Sequence, residues 1–317
     1  MFKGLFGGGR PDPYQADQDA AELVDMVNRG QGNRAGARLR QLAADSHADR
    51  TFFADAIAEG CKMRDIEKWV QQAPNDAAAW CAHAAKHIAA AWDARGGGRA
   101  GGVSQRGWRS FERHLASARD AAMAATERQP DDPGPFYLLL KIAVGAEGPD
   151  TGREYFQAAV SRDPTYYPAY QLMMTMLLEK WHGSHRDAYE FAAEAAGRAP
   201  EGSDLPVLLI QAHIEHWMYF ELFEDNAAGG RAYLRKPDVQ DSVKRAWRKS
   251  LGAPSYRPDR HTPFRRNEAA MWFYLTEEPT RLKKELTALG GVETELPWQW
   301  KGRSAFRKAH KLAKVRL

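Results

Sequence analysis

The chain has 317 residues, a formal net charge of +4 (45 Lys and Arg against 41 Asp and Glu) and 44% hydrophobic residues. That apolar content suffices for a sizeable core and excludes a disordered chain. Two cysteines, Cys61 and Cys81, exclude a disulfide framework and supply no zinc cluster, and no apolar run of about 18 residues predicts a membrane span. The expected setting is reducing and cytoplasmic.

Residues 1–16 predict a flexible leader, with Gly7-Gly8-Gly9 followed by Pro11 and Pro13. Helices are expected over 17–29, 34–44, 50–59 and 65–72, the last stopped by Pro74. Long Val, Ile and Thr runs are absent, so the predicted fold is all-α. The best patterned stretch is 164–200, read as a helical hairpin. Its first helix puts Tyr170, Met173, Met174, Leu177, Leu178 and Trp181 on one face, and its second does the same with Ala188, Phe191, Ala192, Ala195 and Ala196. Gly183 suits the turn and Ser184 the second helix's N-terminus. One hairpin cannot bury its own apolar face, so it must stack on others.

Prolines that end helical patterns fall at 74, 130, 164 and 200. The last two spacings are 34 and 36 residues; the first is 56 and holds a glycine-rich insertion over 95–103. Trp80, Phe136 and Tyr170 lie six residues after successive prolines, and Ala125, Ala159 and Ala195 five before. This register resembles the tetratricopeptide repeat family over about residues 60–225. Ala84 matches the family's small packing position, whereas Leu140 and Met174 depart from it, and Pro206 stands where a further aromatic belongs. Lys180-Trp181-His182-Gly183-Ser184 with Phe191-Ala192, and Leu289-Gly290-Gly291 with Pro297-Trp298, also resemble an uncharacterised group of actinobacterial proteins with such repeats. The resemblance implies a short α-solenoid of degenerate helical hairpins. Its concave groove would hold a peptide or partner helix, and the register exposes Tyr137, Lys141, Gln171 and Thr175 there. The repeat region is expected over 17–230 and a basic helical extension over 231–317.

Past the repeats, 205–222 is apolar on nearly every side and predicts a helix buried on both flanks. A loop over 226–230 precedes predicted helices at 238–250, 263–275 and 280–289. Residues 231–317 carry 21 Lys and Arg against 9 Asp and Glu, while the preceding 230 carry the remaining 24 and 32. That asymmetry means either contact between the two parts or an acidic partner. In 304–317, Phe306, Ala309, Ala313 and Leu317 share one face, with Arg307, Lys308, Lys311 and Lys314 around it. Three readings stay open: the stripe packs and the cations are solvated; the tail binds an acidic partner, including another copy's acidic part; or it touches nucleic acid or anionic lipid. Trp298 and Trp300 read as an anchor before a ligand platform.

Chemistry is harder to find. His83 and His87 are spaced i, i+4 and His213 and His216 i, i+3, yet neither pair completes a zinc motif, so no metal is expected. Paired acids such as Asp131-Asp132 and Glu277-Glu278 suit solvated helix ends. No nucleophile elbow, P-loop or dinucleotide fingerprint occurs, and no cofactor is implied. The sequence therefore points to a non-enzymatic interaction module, with a nucleic-acid- or membrane-associated regulator as the alternative.

Overall fold

The computed structural model describes residues 17–96, 100–302 and 304–316, which exclude the expected leader, the centre of the glycine-rich insertion and Leu317. The described residues form helices without a strand. They fall into two compact units, Met1–Met173 and Met174–Leu317. This division lies inside the expected repeat region, and 174–230 clusters with the basic extension.

The first unit holds α1 (Gln18–Asn28), α2 (Gly32–Leu42), α3 (His47–Gly60), α4 (Met63–Gln72), α5 (Ala77–Arg95), α6 (Gln105–Arg128), α7 (Pro133–Ala146) and α8 (Pro149–Val160). The boundary falls within α9 (Tyr167–Met176). Capping side chains set several starts: Ser46, Asp76 and Asp132 each accept a hydrogen bond from a backbone N–H of the following turn. Helices pack on their sequence neighbours and on the next but one, as in α1 on α3, α3 on α5 and α5 on α7.

The proline register has a physical counterpart here. Arg128, at the end of α6, donates to the Pro74 carbonyl at 2.5 Å and to the Ala124 carbonyl four residues back at 2.6 Å. Its guanidinium lies 4.9 Å from the Trp80 ring centroid. Arg162 repeats this just past α8, donating to the Pro130 and Ala158 carbonyls with its guanidinium 3.9 Å from the Phe136 centroid. Arginine's planar fork can serve two carbonyls while its face stacks on a ring. At the next position Tyr170 instead meets Phe156 edge-on, with centroids 5.0 Å apart.

The second unit holds α10 (His185–Arg198), α11 (Val207–Leu222), α12 (Ala227–Leu234), α13 (Pro237–Lys249), α14 (Thr262–Leu275), α15 (Pro279–Leu289), the short α16 (Glu295–Trp298) and α17 (Ala305–Ala313). Helix α11 is its centre and packs on α10, α12, α13 and α14. Two local expectations change. The loop expected over 226–230 opens α12, because the Asn226 side chain accepts from Gly229 N–H and nucleates the turn despite two glycines. The first helix of the 164–200 hairpin stops at Met176, short of Trp181. The chain then turns tightly, with His182 N–H donating to the Met176 carbonyl and Trp181 N–H to the Leu178 carbonyl.

Gly183 is required in this turn by space. A Cβ there would stand 2.4 Å from the Leu177 carbonyl oxygen, a backbone atom that cannot swing away. Gly183→Ala is expected to destabilise the protein by about 1–3 kcal/mol, the usual cost of overpacking a tight site. A lowered midpoint in urea denaturation is the readout; an unchanged midpoint would mean the turn relaxes freely.

Candidate functional site

The structure separates the residues expected to line a groove from solvent. Lys141 is only 2% exposed, and Tyr137 and Thr175 are also buried; Gln171 is half-buried. Lys141 Nζ donates to both Asp55 carboxylate oxygens, at 2.9 and 3.0 Å, and lies 4.7 Å from the Tyr137 centroid. Tyr166, beside Tyr137, hydrogen-bonds to the Thr51 hydroxyl. The cause is α3, which packs on α5 and α7 and fills with Asp55 and Thr51 the space the repeat register leaves open. As an exposed peptide-contact set, Tyr137, Lys141 and Thr175 are therefore corrected: Tyr137 and Lys141 belong to a buried polar network of the first unit, and Thr175 is buried in its own right.

The basic face of α17 has the opposite character. Phe306, Ala309 and Ala313 are buried, and the helix packs on α14 and α15. Phe306 meets the edges of Trp298 and His310 at centroid distances of 5.3 and 4.7 Å. Trp298 is buried and its Nε1–H donates to Asn267 Oδ1 at 2.6 Å, an anchor as expected. Arg307, Lys308, Lys311 and Lys314 are exposed, and among the described residues none forms an ion pair. Leu312, 40% exposed, stands among them.

The acidic balance of the first 230 residues is concentrated in 174–230, with 3 Lys and Arg against 10 Asp and Glu. That stretch shares a unit with the basic third. Arg265 pairs with Asp204 at 3.0 Å and Lys301 with Glu221 at 3.6 Å. Arg266 meets Glu285 at 2.8 Å within the basic third. Internal contact thus accounts for part of the charge asymmetry, and the α17 cations are among those left over.

Sequence spacing gave no sign of a further cluster around α11. Lys180, in the turn before α10, donates from Nζ to Glu215 Oε2 at 2.5 Å, both side chains being nearly buried. Glu268 of α14 is 8% exposed, and its Oε2 has no hydrogen-bond partner among the described residues. Burial, then the neighbouring Glu215 carboxylate, pushes the Glu268 carboxyl up to about 8, against the opposing pull of Lys180. Nothing in the Arg265-Arg266-Asn267-Glu268 run marks it as interior; the packing of α14 decides that.

On another side of α11, His213 is buried, its Nδ1 2.6 Å from Tyr233 Oη and its Nε2 3.2 Å from Ser242 Oγ. His216 stacks on His185, with centroids 3.8 Å apart. Burial lowers all three imidazoles, His213 to about 4 and His216, also opposed by His185, to about 3. In the first unit His87 Nδ1 lies 3.0 Å from His114 Nδ1 beside His83, and burial lowers these three as well. Among the described residues no group of three or more His, Cys, Asp and Glu is placed to hold a metal ion. Burial pushes the Cys61 thiol up to about 12 and Cys81 well above its usual value, so neither is a ready nucleophile.

No protein-family model and no curated protein matches the chain. The residues themselves therefore carry the functional argument.

The imidazoles make stability pH-dependent with a definite sign. A histidine held below 6.5 in the folded state takes up protons more readily when unfolded, so stability is full above pH 6.5 and is lost as pH falls toward the folded value. For His213 the difference between 6.5 and about 4 corresponds to about 3 kcal/mol. Urea unfolding between pH 7 and pH 4.5 should show a falling midpoint, with a shallower fall in His213→Gln. An equal fall in both would remove His213 from the account.

Proposed function

We propose that this chain is a non-enzymatic, cytoplasmic interaction module that binds an acidic protein segment through the exposed face of α17. The observation that supports this is the division of labour on one helix. Its apolar stripe is already used by the core, so its four outward cations are not needed to hold it in place. Buried cations of the same unit such as Arg265 and Arg266 pair internally, while among the described residues these four stand exposed and without an ion pair on one face of one helix. Exposed Lys and Arg on a rigid helix steer an anionic partner, and Leu312 among them offers an apolar contact that a purely electrostatic surface lacks. The recurrent arginine–aromatic–proline contact favours tetratricopeptide-like hairpins as the scaffold.

Charge reversal tests this better than truncation, because removing α17 would strip Phe306 from Trp298. The probe is a synthetic peptide of alternating Glu and Leu, with duplex DNA and phosphatidylserine vesicles in parallel. Lys308→Glu with Lys311→Glu should weaken peptide binding about tenfold or more at low salt, with near-wild-type unfolding. Tighter binding to DNA with a steep salt slope would transfer the face to nucleic acid. Unchanged peptide binding in the double variant would overturn the assignment to α17.

A further inference from the structure

The Lys180, Glu215 and Glu268 cluster is unbalanced. Neighbouring buried arginines of the unit each meet a carboxylate, Arg265 with Asp204 and Arg266 with Glu285. Here two nearly buried carboxyl groups face a single ammonium, and that ammonium is bound to Glu215. Among the described residues Glu268 Oε2 is left inside the protein without a donor. A buried acceptor without a partner costs about 1–3 kcal/mol and calls for an occupant. A proton on Glu268 cancels the charge, but placed on Oε2 it is itself a buried donor without an acceptor. A cation carrying N–H groups supplies both the charge and the donor.

We propose that this cluster binds the primary ammonium or guanidinium group of a small organic ligand, which donates to Glu268 Oε2 beside the Lys180–Glu215 pair. A metal ion fits poorly, because among the described residues no third His, Cys, Asp or Glu is placed with the two carboxylates. The Trp300 ring lies beside the cluster, 5.5 Å from Lys180 Nζ, and is half-exposed, as a cation-binding wall requires. Exposed Glu179 and His182 flank Lys180 in the chain, so its turn reaches the surface. With the ligand bound, two carboxylates and two cations sum to zero charge.

Binding exchanges the Glu268 proton for the ligand cation, since the carboxyl holds its proton up to about pH 8. The groups that face it are Glu215 from α11 and Lys180 from the turn. Elsewhere around α14, Glu285 of α15 is occupied by Arg266 and Trp247, and His310 of α17 lies against the Val315 carbonyl. The affinity should therefore rise by about tenfold per pH unit below pH 8 and level off above it, with one proton released per ligand.

Isothermal titration with putrescine and n-butylamine at pH 6, 7 and 8, in two buffers of different ionisation enthalpy, reads both quantities. Tetramethylammonium, which has no N–H donor, is the control. Glu268→Gln keeps a neutral side chain of the same shape but cannot ionise. It should bind putrescine at least about tenfold more weakly at pH 8 and without the pH dependence. Absence of saturable amine binding, equal binding by tetramethylammonium, or pH-independent wild-type binding would each overturn the proposal. Proton release is measured on the wild-type chain, so the test stands even where the variant fails to fold.

Discussion

The second unit depends on the burial of α11. A helix surrounded by α10, α12, α13 and α14 takes its polar side chains out of water, and each must then find a partner inside the protein. Each partner comes from a different segment. Glu215 is met by Lys180 of the turn before α10, and His213 by Tyr233 of α12 and Ser242 of α13. Glu221 is met by Lys301. Such pairs add little net stability over apolar substitutes, but breaking one leaves an uncompensated buried group, so they specify how the neighbours are placed. Glu268 is a carboxylate of this surrounding that the pairing leaves incomplete.

The first unit solves a different problem. A proline ends a helical pattern and leaves carbonyls at the junction without an N–H partner. Arg128 and Arg162 close two such junctions alike, each bridging a proline carbonyl to a carbonyl of its own segment while lying over the aromatic near the start of the helix that follows that proline. The 34-residue interval between these arginines equals the interval between Pro130 and Pro164. What the periodicity could not show was the reach of α3. Its Asp55 and Thr51 pair with Lys141 and Tyr166 and turn would-be surface into interior.

Charge is distributed by the same logic. The acidic stretch 174–230 and the basic stretch 231–317 share a unit, and their buried or partly buried members pair. Helix α17 stays apart because its interior contacts are apolar, Phe306 on Trp298 and the small alanines behind it. The four cations of α17 are thus part of what the internal electrostatic balance leaves over, gathered on one face of a short helix.

The sequence alone determined the all-α class, the proline register, most helix starts and the amphipathic split of α17. These follow from local periodicity, caps and breakers, which act within a few residues. It also indicated Trp298 as an anchor. Only the tertiary structure decided that Lys141 and Tyr137 are interior, that 174–230 belongs with the basic third, and that Lys180, Glu215 and Glu268 meet. Those facts depend on segments far apart in the chain coming together, Lys180 and Glu215 at 35 residues and Asp55 and Lys141 at 86. Burial then decides whether a lysine is a solvated cation or half of an ion pair, and whether a glutamate keeps its proton. A residue's spacing along one helix holds no record of which other helix covers it.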